Sequence, residues 1–483
     1  MVFNSITFFV FFSLFFLLYW FVFKNNLKLQ NLFLLLGSYV FYAWWDWRFL
    51  SILIASSLIT FLLGIHIEKR INPRQRKILL SLGLLLGIGG LVLFKYFNFF
   101  ITSFNVAFST LSININIQTL NILIPLGISY YTFKTISYLL DVDKGKIKAT
   151  KDWVIFFTYV SFFPCVLSGP IDKARTFIPQ LERKREFNYD MAVDGLRQIL
   201  WGLFKKVVIA DNCATTTNDI FTYYHHLPAS SLLLGAFFYT FQIYADFSGY
   251  SDMAIGLSRM IGFNITKNFH FPFFSQNIAE FWRNWHISLT AWLTEYVFTP
   301  LSITFRDYGK AGLIWAIIIN FIICGIWHGA NWTYLLFGFL HGCYFIPLIL
   351  RGTMNKNKKI AKGMLLPSFI EVINVFTTFF LVMFAFIVFR AENIGEAFHY
   401  YRRLISRSLF TIPKIPGNKY EAGLTLFFIF FMMLVEWIQR EKEHGLQLEI
   451  KRPIYRWSIY TCIIFLIGMF MQSTETPFIY FNF

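Results

Sequence analysis

Charge is the scarcest commodity in this 483-residue chain. Asp, Glu, Lys and Arg together make up 14%, against roughly a quarter in soluble domains. The deficit argues against an ordinary soluble domain. Hydrophobic residues reach 56% and aromatics 21%. Apolar windows of about twenty residues recur from one end to the other, each long enough to cross ~30 Å of hydrocarbon. The expected fold class is an all-α polytopic membrane protein. Cysteine is scarce too. Cys165, Cys213, Cys324, Cys343 and Cys462 are scattered without paired spacing, which points to neither a disulfide framework nor a zinc site and leaves small buried hydrophobes. No Gly-x-Ser-x-Gly elbow, Walker loop, dinucleotide fingerprint or HExxH pair is present. Nucleotide hydrolysis, serine-hydrolase and zinc-protease chemistry are therefore unsupported. No cofactor and no metal are expected.

The formal net charge of +17 does not call for nucleic acid, because Lys and Arg cluster in short loops between apolar runs, the pattern that orients membrane proteins. Phe8 to Phe23 follows no basic residue and precedes no small-residue cleavage site, so it is expected as a retained first span. Lys24 and Lys28 place the first loop in the cytoplasm and the amino terminus outside. Alternating assignments lead to about twelve crossings with both termini outside. Trp153 to Ile171 breaks the alternation: both its flanks are basic, and Pro164, Gly169 and Pro170 interrupt it. A re-entrant hairpin whose broken backbone is buried in protein or lines a cavity reconciles these facts. Asp211 to Pro228 is expected as a polar outside loop, with His225 and His226 solvated rather than metal-binding. Arg390 to Lys419 is expected outside, with an amphipathic stretch through Phe398, Tyr401 and Leu404 along the interface. One integral-membrane domain spans 1–483, with amino-terminal spans in 1–120, a motif-bearing core in 121–350 and carboxy-terminal spans in 351–483.

Titratable groups at membrane depth are costly, so they read as functional by default. GIWHGANWT, Gly325 to Thr333, places His328 between two apolar runs. FWRNWHISLTAWLTEYVFTPL, Phe281 to Leu301, puts Trp282, Trp285, His286, Leu289, Trp292, Leu293 and Tyr296 at three- and four-residue steps, the period of one packed helix face. His286 alone reads as a core histidine; with His328 about forty residues on, the two imidazoles could share general-base work near neutrality. His341 reads as structural. FQIYADFSGYSDMAIGL, Phe241 to Leu257, holds Asp246 and Ser248 after a span, where either could cap the next turn or line a ligand channel.

Together with IPLGISYYTFKTISYLLDV (Ile124–Val142) and the closing FIYFNF, these motifs resemble the membrane-bound O-acyltransferase family, in particular its bacterial polysaccharide O-acetylation branch. The resemblance runs in order from about Asn121 to the last residue. It implies a ring of about 11–13 transmembrane helices with re-entrant segments around a funnel, in the bacterial cytoplasmic membrane. It also implies that His328 matches the catalytic histidine and His286 the second characteristic histidine. Acetyl-CoA taken from the cytoplasm is the implied donor, and an extracytoplasmic O-acetyltransferase or other polysaccharide-modifying protein the implied partner. A sister branch transfers D-alanine to teichoic acid.

The expected chemistry is O-acyl transfer across the membrane for O-acetylation of an extracytoplasmic polysaccharide. His328 would be the base and His286 a helper in placing groups. Trp327 and Asn331 would shape the substrate site, Asn331 with a hydrogen bond to the developing oxyanion. Asp246, Ser248, Arg283 and Trp285 are further substrate-binding candidates, and Arg259, Lys267, Arg283 and Lys310 could attract the donor's phosphates. The alternative reading is a transporter or flippase for a lipid-linked glycan, which broken apolar runs also fit; the absence of a two-fold repeat speaks against it.

Overall fold

The computed structural model describes residues 1–483 apart from Asn114, Asn116, Asn357, Lys358, 472–477 and 480–483. The closing FIYFNF motif is thus described at Phe478 and Ile479, and its last four residues lie outside the described residues. Every regular element among the described residues is helical. Among the described residues seven helices are long and apolar enough to cross a membrane: Trp47–Lys69, Pro73–Thr110, Arg306–His328, Trp332–Leu350, Phe369–Arg390, Lys419–Ile438 and Pro453–Phe470. Ile6–Val22 is apolar but shorter. Other expected crossings fall on helices that are shorter or more polar, such as Leu27–Ala43, Ile128–Asp143 and Ala229–Met260. The chain is a multi-pass membrane protein.

Two compact units are present, Met1–Gly195 with Ala254–Thr266, and Leu196–Met253 with Lys267–Phe483. In the first, helices Trp47–Lys69 and Pro73–Leu91 pack on Ile128–Asp143, and Leu27–Ala43 packs on Trp153–Ser161. The apolar run from Trp153 is broken as its Pro and Gly residues require: the helix stops at Ser161, and the turns that follow are buried from Phe162 to Pro170. Ser38 supplies one of their lost partners, its hydroxyl accepting from the Phe163 amide at 3.2 Å. Buried irregular backbone at membrane depth is tolerated on those terms. Arg185 closes this unit, donating to Gln30 Oε1, Asn31 Oδ1 and the Gln180 carbonyl.

The second unit holds the hairpin of Gly309–His328 and Trp332–Tyr344, with Phe369–Arg390 packed on its second arm. Three expectations are corrected here. Residues 211–222 are not loop: helix Asp211–Thr222 continues directly from the wide-turned segment Phe204–Ala210, because Ile220 has a core to enter, formed with Leu232, Met383, Ile387 and Tyr400. The amphipathic helix Ile394–Leu404 buries Ala397, Tyr400 and Leu404 against that core, while Phe398 points outward; Leu404 and Phe398 therefore do not share an interfacial face. His225 and His226 are exposed. Third, Phe281 to Leu301 is not one helix. It is Ile278–Asn284, a break at Trp285 and His286, then Ile287–Leu293 and a wide turn Thr294–Phe298. The seven residues of the predicted stripe are nevertheless all buried.

Candidate active site

His328 is the last residue of helix Gly309–His328, and the chain returns through Trp332–Tyr344 after Asn331 caps that helix by accepting from the Thr333 amide. The two arms are almost in backbone contact. A Cβ on Gly325 would fall 2.1 Å from the Tyr334 carbonyl oxygen, and one on Gly338 would fall 2.2 Å from that of Phe321. Only glycine permits this approach, and it pins the histidine between the arms and the helix Phe369–Arg390. The imidazole, 3% exposed, meets the rings of Phe389 at 5.2 Å and Phe337 at 6.1 Å edge-on. Cys324 Sγ, one turn back, lies 3.9 Å from Nε2.

His286 owes its position to Asn268. The Asn268 carbonyl oxygen accepts from the Ile287 amide at 2.8 Å, and its Oδ1 accepts from Ser288 N at 3.4 Å and Ser288 Oγ at 3.0 Å. Its Nδ2 donates to Ser251 Oγ at 3.1 Å. The Ser288 amide can only donate, so the atom facing it is the amide oxygen. That oxygen also lies 3.0 Å from His286 Nδ1, which must therefore carry the ring proton. The neutral tautomer left has its lone pair on Nε2. His286 itself adopts φ 44°, ψ 52°, a left-handed conformation that costs a non-glycine residue about 1–3 kcal/mol. The helix breaks here because Asn268 takes the amides that a continuous helix would bond internally. Complete burial, then the charge His328 would carry, hold the His286 imidazole well below its ordinary range and keep it neutral.

Trp327 joins the two histidines, its ring 5.5 Å from His286 and 5.1 Å from His328. Phe389 forms one wall of an adjoining cavity of about 410 Å³, also lined by Lys206, Asp211, Tyr239, Gln242, Asp246, Asn331, Tyr334 and Arg390. Lys206 lies 2.9 Å from Asp211 and 2.8 Å from Asp246, all three side chains buried. Asp246 Oδ2 accepts from the Ile479 amide at 2.7 Å, which draws the described end of the closing motif onto the cavity wall.

The predicted residues thus separate. His328, His286 and Trp327 come together, with Asn331 and Asp246 on the adjoining cavity. Asp246 and Ser248 are not caps: both sit inside the helix Ala229–Met260, because the polar segment after the span continues its helical turns. Ser248 is buried and is not on the cavity wall. Asn331 already gives an amide hydrogen to the Glu392 carbonyl at 2.7 Å. Trp285 lies in an aromatic core with Phe269, Phe281 and Phe386. Arg283 bonds the Ala279 and Met354 carbonyls. Of the other cations, Arg259 pairs with Asp194 in the first unit, Lys267 with Glu443, and Lys310 with the Leu350 carbonyl. His341 accepts from the Trp282 indole at 3.1 Å. Among the described residues no group of three or more His, Cys, Asp and Glu could hold a metal ion. Two site elements were missed. Lys206 was visible as a charge inside an apolar run, whereas Asn268, in an irregular segment, gave no periodic signal.

The chain is a helical, multi-pass membrane protein with two buried histidines close to a polar cavity. The family model for MBOAT, the membrane-bound O-acyltransferase family, matches residues 151–388. The chain is 36% identical over 421 residues to the probable alginate O-acetylase AlgI of Azotobacter vinelandii, covering 86% of this chain and 80% of that protein. It is 28% identical over 506 residues to the peptidoglycan O-acetyltransferase of Helicobacter pylori, 95% of this chain and 93% of that one. Against the teichoic acid D-alanyltransferase of Bacillus subtilis it is 29% identical over 290 residues, 58% and 71% of the two chains. The chain belongs to the membrane-bound O-acyltransferase family and is an acyltransferase.

Proposed function

We propose that this acyltransferase moves an acetyl group from cytoplasmic acetyl-CoA through the membrane for O-acetylation of an extracytoplasmic polysaccharide, passing it to a partner transferase on the far side. The observation that carries this reading is the pair His286 and His328, both buried and bridged by Trp327, next to a polar cavity able to admit a hydroxyl group. Alginate and peptidoglycan, which the relatives' names specify, define the kind of acceptor. Positive-inside orientation puts the His328 end of its helix, with Arg390, toward the outside.

In this mechanism His328 takes the proton of the acceptor hydroxyl as its oxygen attacks the thioester carbonyl. A C–O bond forms, the C–S bond breaks, and the proton passes to the departing thiolate. His286, held neutral with its proton on Nδ1, presents the lone pair of Nε2 within the same dry site and helps to place the reacting groups. Asn331 has a second amide hydrogen with which to meet the developing oxyanion. Asp246 and Lys206 form a polar wall for the incoming hydroxyl. Comparing cells carrying the native chain or His328→Ala at matched membrane levels tests the reading through ester-linked acetate on extracellular glycan. Loss of acetate with normal glycan export supports it. Unchanged acetate removes His328 from the base role, and reduced export of unmodified glycan favours transport instead.

A further inference from the structure

The first unit carries a second cavity, of about 340 Å³, lined by Phe16, Trp20, Phe21, Lys24, Asn25, Lys184, Arg185, Glu186 and Phe187. It lies where the apolar first helix ends: Ile6–Leu17 passes into the wide turn Leu18–Val22, and the chain then reaches Lys24. Three cations face one carboxylate. Lys24 and Lys184 are exposed, whereas Arg185 is 6% exposed and rigidly held, its guanidinium bonded to neutral groups of Gln30, Asn31 and Gln180, 5.9 Å from the Tyr19 ring centroid and 4.9 Å from that of Phe263. None of these bonds neutralises it. The wall is equally fixed, because the Trp20 indole donates to the Met260 carbonyl at 3.0 Å and its ring packs against Phe187 at 5.5 Å.

An apolar track leads to this charge. Val10, Leu14 and Leu17 recur at helical spacing, all more than half exposed, and point the way to Phe21, 73% exposed and itself on the cavity wall. Exposed apolar side chains that end in an aromatic and cationic pocket match the two halves of a phospholipid: acyl chains along the helix, a phosphate among the cations, and aromatic rings at the headgroup level. The cavity volume is within the range of small-ligand pockets. Neither half alone selects this ligand; their junction does.

We propose that this cavity binds the headgroup of an anionic phospholipid, with the phosphodiester between Lys24, Lys184 and Arg185 and the acyl chains on the Val10–Leu14–Leu17 face. The site is independent of the histidine pair and belongs to the first unit alone.

The test is native mass spectrometry of the purified full chain in neutral detergent, with dioleoyl phosphatidylglycerol and dioleoyl phosphatidylcholine added in equal amounts. The native chain is expected to retain phosphatidylglycerol preferentially. K24Q/K184Q is expected to weaken that retention by roughly fivefold per lysine, about 25-fold together, as for cations at a lipid surface, with phosphatidylcholine unaffected. Both lysines are exposed, so the double variant should melt like the native chain. K28Q, a charge removed just outside the cavity, should leave retention unchanged. Equal retention of the two lipids, retention undiminished in K24Q/K184Q, or an equal loss in K28Q would each overturn the proposal. So would displacement of phosphatidylglycerol by an equal concentration of glycerol 3-phosphate, which would make the pocket a site for soluble anions.

Discussion

Replacing Asn268 isolates the device that positions His286. Asn268→Leu keeps the volume of the side chain and removes Oδ1, the acceptor for His286 Nδ1, Ser288 N and Ser288 Oγ. The Ser288 and Ser251 hydroxyls can rotate towards other partners. The Ser288 amide and the imidazole N–H cannot, and each buried donor left without an acceptor costs about 1–3 kcal/mol. The expected loss is therefore about 4 kcal/mol, a large fraction of the 5–15 kcal/mol typical of a folded domain. Asn268→Asp keeps the acceptor and adds a charge that favours a second proton on the imidazole, filling Nε2. The assay pairs thermal unfolding in detergent with ester-linked acetate formed by membranes at matched protein levels. Asn268→Leu should lower both readings. Asn268→Asp should stay folded, yet lose acetate transfer near neutral pH and recover part of it at higher pH as the imidazole is deprotonated. Asn268→Leu melting and working like the native chain would refute the argument, as would Asn268→Asp with an unchanged pH profile.

Other consequences follow from the same geometry. Lys206→Met strands the Asp211 and Asp246 carboxylates and should cost about 3–5 kcal/mol, whereas Asp246→Asn leaves the 2.9 Å Lys206–Asp211 pair and should cost about 2 kcal/mol; denaturant unfolding measures both. Gly338→Ala brings a methyl to 2.2 Å from the Phe321 carbonyl oxygen, so the arm must move, at about 1–3 kcal/mol, and acetate transfer should fall though His328 is intact. The His286 pKa is depressed by folding, so its contribution is complete above the ordinary value of 6.5. Below that pH the unfolded chain takes up a proton that the folded chain refuses, so stability should fall as the pH is lowered. Melting temperatures of the native chain and His286→Gln between pH 7 and 5 should show a slope in the native chain that the variant reduces.

Much of the fold was legible because bilayer spans announce themselves by length and hydropathy, as Phe369–Arg390 and Pro453–Phe470 do. The break after Ser161 was legible from Pro164, Gly169 and Pro170. The break at His286 was not. Trp282, Trp285, His286 and Leu289 keep helical spacing across it, and what interrupts the helix is Asn268, eighteen residues upstream, competing for the Ile287 and Ser288 amides. Asp246 looked like a cap because polar residues follow an apolar run; its actual partner, Lys206, lies forty residues earlier and is adjacent only after folding. Trp285 and Arg283 shared a motif with His286, but sequence proximity did not decide which way their side chains faced.

The most direct test of the account uses inverted membrane vesicles containing the native chain, His328→Ala or His328→Gln. They are supplied with acetyl-labelled CoA on the exposed cytoplasmic face, and label released by mild alkali is counted as ester. Native vesicles should give alkali-labile label, and both variants a loss on the order of 10²–10⁴-fold, the range for removal of a general base, with the protein folded and present at equal amounts. Label at the native level in His328→Ala would contradict it.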